Sequence, residues 1–163
     1  MSVEQINVVL DSNLSRLNEV TELLEEADIS IKNLYISDLV QSGILRLIVN
    51  KPDEALKVLK KAGLLASKNT VIAVVISEEA GTLNKAVSVL KRNKIELEYL
   101  YSYVDSDEDL ESEAIVVLRV GDVKKTLELF EKENVTPKNI TEYRYANITG
   151  LLENDILSSV VRI

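Results

Sequence analysis

The stretch that decides the fold runs from residue 76 to residue 103, ISEEAGTLNKAVSVLKRNKIELEYLYSY. It follows a run of β-forming residues, 71–76, and opens with a polar turn that contains Gly81. After the turn, four apolar residues recur at the spacing of one helical face: Leu83, Ala86, Val87 and Leu90. A run of about ten residues from 95 onward then alternates in the manner of a strand. The stretch therefore predicts a strand, a helix and a second strand.

The same pattern occurs 66 residues earlier in the chain. Matches at this offset fall mostly on apolar positions, and examples are the pairs Ile6 and Ile72, Leu17 and Leu83, and Tyr35 and Tyr101. Farther along, the offset becomes 71, because the second copy carries about five extra residues, and 44–49 then aligns with 115–120. The order of predicted elements is the same in both copies, which indicates an internal duplication.

Each copy predicts the order strand, helix, strand, strand, helix, strand. The final strands are expected at about 64–69 and 139–146. In the first copy, Pro52 suits the start of the second helix and Gly63 suits its end. This βαββαβ order is the ferredoxin-like plan. The predicted class is α+β, with two repeats, each an antiparallel four-stranded sheet with its helices on one face. The expected units are residues 1–69, residues 70–146 and a C-terminal extension, 147–163, and the near-absence of a linker suggests that the copies pack together.

Composition limits the classes of function. The chain has 163 residues, 46% of them hydrophobic and 28% charged, which is typical of a globular protein. The net charge is −8, and six acids lie in the segment 104–113, so the remainder is near −2. An acidic chain repels phosphate backbones, so nucleic acid is not an expected partner. With no secretory segment and no long apolar run, we expect a cytoplasmic protein without a membrane partner.

Cysteine and histidine are both absent from the chain. Their absence removes thiolate chemistry, the usual zinc sites and the commonest general base. We therefore expect no enzyme, no cofactor and no metal site. The acidic segment contains Asp105, Asp107 and Asp109 at the spacing that opens a calcium loop, but Leu110 stands where that loop needs glycine. A solvated acidic hairpin is the favoured interpretation.

The turn before the predicted third helix is the first candidate site. Backbone N–H groups at a helix N-terminus attract carboxylates, and a glycine there lets a ligand approach the backbone. The first copy has Ser15 at the position of Gly81, and serine can simply cap a helix. From spacing alone, a glycine that only makes a tight turn is the favoured interpretation, with an anion site as the alternative.

Tyrosines and the C-terminal tail give further candidates. Tyr99, Tyr101 and Tyr103 alternate along one predicted strand and so share a face, as do Tyr143 and Tyr145 near the end of the second copy. Amphipathic tyrosines on a half-buried sheet are the favoured interpretation, with a ligand pocket or a subunit contact as alternatives. The tail, 147–163, is apolar enough to dock on its own body or on a partner, as a helix or as a strand.

These residues and their order resemble the tandem ACT-domain proteins, a family of small regulatory modules that bind amino acids. The resemblance covers about residues 5–146 and rests on the double βαββαβ order, on GILRLIVNKPDEALKVLKKAG (43–63) and on EEAGTLNKAVSVLKRNKIELEYLYSY (78–103). It implies that backbone N–H groups of the first strand-to-helix turn meet the ligand's carboxylate. It also implies that the pocket is shared with the second strand of a neighbouring ACT domain.

The resemblance assigns candidate site residues one by one. The family's Pro-Gly pair falls on Ala80 and Gly81 in the second copy and on Leu14 and Ser15 in the first, so only the second copy keeps the glycine. The position that helps hold the amino group falls on Glu96 and on Ser30. The implied ligand site comprises Glu78, Glu79, Ala80, Gly81, Thr82, Leu83, Asn84, Glu96 and Tyr99, and its weaker first-copy equivalents are Ser12, Asn13, Leu14, Ser15 and Ser30.

Two functions follow from the sequence. The first is a stand-alone amino-acid sensor, in which a free amino acid shifts the equilibrium between assemblies, with a homodimer as the expected oligomer. The second is a structural or protein-interaction module in which both turns are vestigial and the chain acts through oligomerisation.

Overall fold

The computed structural model describes residues 2–11, 14–37, 42–76, 81–105 and 113–137. Within these residues, strands and helices follow the predicted order through the fourth helix, which confirms the α+β class and the ferredoxin-like plan. The predicted last strand, 139–146, lies outside the described residues. The elements are β1 Ser2–Asp11, α1 Leu14–Glu26, β2 Ile31–Ser37, β3 Ser42–Val49, α2 Pro52–Lys61, β4 Ala66–Ile76, α3 Thr82–Arg92, β5 Leu97–Asp105, β6 Glu113–Val120 and α4 Val123–Lys132.

The six strands form one antiparallel sheet in the order β2-β3-β1-β4-β6-β5. The strands predicted at 64–69 and 71–76 are one continuous strand, β4, so the two expected four-stranded sheets are joined into one. No glycine or proline interrupts the chain between 66 and 76. The first part of β4 pairs with β1, from Ala66 opposite Val8 to Ile72 opposite Ser2, and the second part pairs with β6. The predicted division between 69 and 70 falls inside this strand.

All four helices end in the same way. A residue with positive φ follows each helix, and the next residue donates its N–H to a carbonyl in the last helical turn. This is the Schellman arrangement, in which an apolar residue after the turn packs back onto the helix. Gly63 takes this position after α2, as predicted, with φ of 81°. The equivalent residues after the other helices are Asp28, Lys94 and Asn134, and the apolar residues that follow are Ile29, Leu64, Ile95 and Val135.

The helices cover one face of the sheet and create a hydrophobic core in each half. In the first half, α1 and α2 bury one face of β1 and β3 around Leu24, Leu47 and Leu59. In the second half, α3 and α4 bury one face of β4 and β6 around Leu118 and Phe130. Leu59 and Phe130 are equivalent under the 71-residue offset and are both fully buried.

The other face of the sheet is concave. Tyr35 lies on β2 and Tyr101 on β5, the two outermost strands, yet their rings stack with centroids 4.9 Å apart and planes within 4°. Across a flat sheet of six strands the edges would be about 24 Å apart. The sheet therefore curves into a half-barrel whose edges meet through two tyrosines that the repeat makes equivalent. A third hydrophobic cluster lies under this contact and includes Val3, Ile48, Val71, Ala73, Ile115 and Val117.

The N-terminus of α2 is fastened to the sheet by an ion-pair cluster. Lys68 on β4 pairs with Glu4 on β1 and, at 2.7 Å, with Asp53 in the first turn of α2. The hydrogen bond from Lys68 lowers the pKa of the Asp53 carboxyl below its usual value, and the same bond raises the pKa of Lys68. Because all three side chains have access to solvent, the cluster orients the helix more than it stabilises the fold.

Candidate functional site

The turn before α3 places Gly81 at the N-cap of the helix. Its backbone is left-handed, with φ of 108° and ψ of −10°, and glycine has no side chain of its own that could cap the helix. The Gly81 carbonyl accepts the first helical hydrogen bond from Lys85 N at 2.8 Å. A Cβ built on Gly81 meets nothing within 4 Å, so the glycine is required by its φ and not by crowding. The N-terminal end of a helix attracts carboxylates, so the start of α3 at Gly81 is a candidate anion site.

The first helix of the first half begins at a different position of the repeat. The helix α1 begins at Leu14, two residues earlier than α3 begins under the 66-residue offset. Ser15 therefore lies inside the first helical turn, and the suggestion that it caps the helix is wrong. Ser12 and Asn13 lie outside the described residues, and only the backbone of Leu14 is described. The two helices therefore begin at different positions of the repeat, with Ser15 inside α1 and Gly81 just before α3.

Of the other residues assigned to the second-copy turn, three follow Gly81 directly in the first turn of α3. Thr82 is half-buried, while Leu83 and Asn84 are exposed beside Gly81. Asn84 accepts a hydrogen bond from the hydroxyl of Ser88 at 3.4 Å, one turn farther along the helix. Glu78, Glu79 and Ala80 lie outside the described residues, as do the tail and most of the acidic segment.

Glu96 and Tyr99 are not brought to Gly81 within one chain. Glu96 follows the far end of α3, which has 11 residues and is therefore about 16 Å long. There the Glu96 carbonyl accepts a hydrogen bond from Gly121 N at 3.0 Å. Tyr99 projects from the concave face of the sheet, whereas α3 covers the opposite face. Ser30 likewise follows the far end of α1, where its N–H donates to Asn50 Oδ1 at 2.9 Å.

The expected tyrosine row has a structural partner that the sequence did not indicate. Gln5 on β1 is fully buried on the concave face. Its Nε2 donates to Tyr99 OH and to Asn7 Oδ1, both at 2.7 Å, and its Oε1 accepts from Tyr101 OH at 2.9 Å. Buried polar groups need such partners, so these bonds determine where the two tyrosines lie. Tyr143 and Tyr145 lie outside the described residues.

Two arginines also lie among the apolar residues of the central strands. The guanidinium carbon of Arg46 on β3 is 4.1 Å from the centre of the Tyr99 ring, a cation–π contact. Arg119 on β6 donates to the carbonyl of Thr70 at 2.9 Å and lies 3.3 Å from Glu98 Oε1. Sequence reasoning passed over both, although one cation in the middle of an otherwise apolar strand, as in GILRLIV and AIVVLRV, is a usable signal.

The described residues include neither a membrane-spanning helix nor a metal-binding group of acidic side chains. None of their helices combines the length and the apolar run that a membrane crossing needs. The same part of the chain contains no group of three acidic side chains arranged to hold a metal ion.

Comparison with solved structures places the fold among known proteins. Protein BT0572 from Bacteroides thetaiotaomicron is 29% identical, with a TM-score of 0.76 over 86% of this chain and 94% of that one. The ligand-free regulatory subunit of aspartate kinase from Thermus thermophilus is 15% identical, with a TM-score of 0.53 over 80% of this chain and 91% of that one. The corresponding subunit from Thermus flavus is 14% identical, with a TM-score of 0.52 over 80% and 92%.

A search of curated proteins found no match. The family model described as the ACT domain pair matches residues 1–143, which is most of the sequence. That match includes both halves of the half-barrel, the turn at Gly81 and the concave face. The chain therefore belongs to the ACT domain pair family.

Proposed function

We propose that this protein is regulatory and binds a free amino acid at the turn before α3. The observation that carries the proposal is Gly81, which occupies the N-cap of α3 with a left-handed backbone and brings no side chain of its own over the start of the helix. Family membership supports a regulatory role and not a catalytic one. The fold shared with aspartate kinase regulatory subunits agrees with this role, although at 15% identity that likeness carries no information about the ligand.

In the proposed site, the amino acid's carboxylate accepts hydrogen bonds from backbone N–H groups at Gly81 and Thr82. The partial positive charge at the helix N-terminus adds to this attraction. Glu78, three residues before Gly81, would pair with the ammonium group. Because α3 separates Gly81 from Glu96 within one chain, Glu96 and the strand after it would reach the ligand only from a second copy. The proposed sensor is therefore a homodimer, and the ligand acts by binding one arrangement of the two copies more tightly than another.

A second candidate function is an interaction module that works through its sheet edges. Leu34 on β2 and Leu100 on β5 are equivalent under the 66-residue offset, and both are exposed on the outermost strands of the sheet. Exposed edge strands with apolar side chains are suited to pair with another chain. In this alternative the Gly81 turn has only a structural role.

A thermal-shift panel of the twenty amino acids tests the first proposal. A ligand present at about a hundred times its Kd adds about 2.7 kcal/mol, which for a protein of this size raises Tm by about 5 to 10 °C. The matched variants are Gly81→Val and Ser15→Val, with each shift measured from the variant's own Tm. We expect the first variant to lose the shift and the second to keep it.

Two outcomes would count against this proposal. If no amino acid shifts Tm at millimolar concentration, the interaction module becomes the better description. If both variants lose the shift equally, the ligand does not bind at the turn before α3. Sedimentation with and without the active amino acid then tests whether the ligand changes the assembly, as the dimeric site requires.

A further inference from the structure

A cavity of about 660 Å³ lies on the concave face, and the Gly81 turn does not contribute to it. Its volume is in the range of small-molecule sites. It occupies the first half of the molecule, over β3, β1 and the first part of β4, with β5 on its far side. Its lining includes Asn7, Val9, Ile44, Arg46, Leu65 and Glu98.

The polar end of the cavity contains hydrogen-bond donors in excess. Asn7 and Arg46 are directly opposite each other on β1 and β3, and both line the cavity. Asn7 Nδ2 and Arg46 Nε are buried and have no hydrogen-bond partner among the described residues. The orientation of the Asn7 amide is set by its Oδ1, which accepts from Gln5. Buried donors without partners are costly, so a ligand that supplies acceptors would be favoured here.

Arg46 also brings a positive charge to this end of the cavity. Arg46 donates to Ser37 Oγ at 3.0 Å and contacts the Tyr99 ring, but no carboxylate of the described residues forms a salt bridge with it. Glu98, on the cavity wall, lies 3.3 Å from Arg119 instead. Lys60, in the last turn of α2, also lines the cavity, away from Arg46 and near the Leu65 end. A carboxylate is the acceptor that an arginine binds most strongly, since both oxygens can receive N–H donors.

The opposite end of the cavity is apolar. Val9, Ile44 and Leu65 line it there, and all three are exposed, with Leu65 at 73%. Val9 N donates to the Leu65 carbonyl at 3.0 Å, which holds these two residues side by side at the end of the sheet. An apolar group placed over these side chains would remove their exposed surface from water. The cavity thus has a cationic inner end and an apolar outer end.

We propose that this cavity binds a small carboxylic acid with an apolar body. The carboxylate lies against Arg46 and Asn7, and the body covers Val9, Ile44 and Leu65. The site is separate from the turn before α3, because α3 lies on the other face of the sheet. It does not depend on the function proposed for that turn. The protein would then recognise ligands at two unlike places, one in each half of the repeat.

Calorimetry with hexanoate, and with 1-hexanol as its uncharged counterpart, tests this proposal on the full chain. We expect hexanoate to bind and 1-hexanol to bind far more weakly. Arg46→Met should weaken hexanoate binding by about ten- to a hundredfold, the factor expected when a charge-assisted hydrogen bond is lost. The matched control is Arg92→Met, because Arg92 is on α3 and pairs with Glu133 on the helical face.

A second variant keeps the test decisive if Arg46→Met does not fold. Ile44→Trp lies at the exposed mouth of the cavity and should block hexanoate by filling the space. Failure of hexanoate to bind the wild-type protein, equal affinity for 1-hexanol, or equal weakening by Arg92→Met would overturn the proposal. So would a dimer that Ile44→Asp converts to monomer, since a second copy would then cover the face. Gly81→Val should leave hexanoate binding unchanged, which separates this site from the proposed amino-acid site.

Discussion

The two halves of the chain agree in how their helices end and differ in how their first helices begin. Each helix is followed by one residue with a left-handed backbone and then by an apolar residue that donates its N–H to the last helical turn. In contrast, α1 begins at Leu14 with Ser15 inside its first turn, whereas α3 begins only after a left-handed Gly81. The helix ends are under the common demand of returning an apolar residue to the core. Ser15 and Gly81 are both exposed, so this demand does not act on them.

The concave face also differs between the halves, being polar in the first half and apolar in the second. Under the 66-residue offset, Gln5 and Asn7 of β1 correspond to Val71 and Ala73 of β4. The first half therefore has a polar concave surface with a cavity, and the second half has an apolar one that packs beneath Tyr101. Each half retains a feature that the other lacks. The duplicated fold thus supports two different surfaces, and the following predictions test how independent the halves are.

The largest effect is expected from truncating the equivalent core residues. Phe130→Ala should cost about 3–5 kcal/mol and Leu59→Ala about 2–5 kcal/mol, since each leaves a cavity under its sheet. Because β4 belongs to both halves, either variant should lower one cooperative transition, followed by circular dichroism during urea unfolding. The exposed Lys132→Ala is the control and should change stability by less than about 0.5 kcal/mol. Two separate transitions would show that the halves unfold independently.

The next effect concerns the two turns. Gly81→Ala should destabilise the protein by about 1–2 kcal/mol, because a Cβ is unfavourable at positive φ. Ser15→Ala should have a smaller effect, since it places no Cβ at positive φ and alanine suits a helical position at least as well as serine. Urea unfolding of both variants measures the difference. Equal effects at the two positions would mean that the turns share one backbone conformation in solution.

A smaller effect is expected at the contact between the sheet edges. In a double-mutant cycle of Tyr35→Leu and Tyr101→Leu, the stacking of the two rings should appear as a coupling of about 0.5–1.5 kcal/mol. Tyr101→Phe serves as the control, because it keeps the ring and removes only the hydroxyl that donates to Gln5. A coupling near zero would contradict the contact between the two edges of the half-barrel and would favour a sheet whose edges stay apart.

The smallest effect on stability is expected from the ion pairs that Lys68 forms in the first half. Since the pKa of Asp53 is lowered in the folded protein, its contribution is present above the ordinary value of 3.8 and is lost as pH falls through the lowered pKa. Since the pKa of Lys68 is raised, its contribution is present below 10.5 and is lost as pH rises through the raised pKa.

Lys68→Met should therefore lower Tm slightly at neutral pH, and the difference from wild type should disappear in strong acid. Thermal unfolding across the pH range checks this expectation, with Lys124→Met on α4 as the control. A difference that persists well below pH 3.8 would show that Lys68 acts through the packing of its alkyl chain and not through its charge.

Much of the fold could be predicted from the sequence because apolar spacing specifies each helix and strand locally. The turn at Gly63 was also predictable, since glycine is favoured where φ is positive. The continuity of β4 was not predicted, because strand pairing depends on register between distant segments, and the residues from 66 to 76 are compatible with one strand or two. The curvature that brings Tyr35 to Tyr101 likewise depends on the twist of six strands together.

The candidate sites were predictable in part. Gly81 could be found because a glycine between a strand and a helix is visible in the sequence itself. The separation of Glu96 and Tyr99 from Gly81 was not predicted. It depends on the length of α3 and on the face of the sheet on which Tyr99 lies, and that face is known only once the strand register is known. Arg46 and Asn7 were missed because they are 39 positions apart in the chain and become neighbours only through the pairing of β1 with β3.

The shared strand β4 also has a mechanical consequence. Its 11 residues extend about 36 Å, and hydrogen bonds fasten one end to β1 and the other to β6. The strand is therefore held at both ends and has no turn at its centre. A force that tilts one end is transmitted along its length to the other end. Pulling on the two halves in opposite directions would load the hydrogen bonds of β4 in shear, the direction in which a row of bonds must break together.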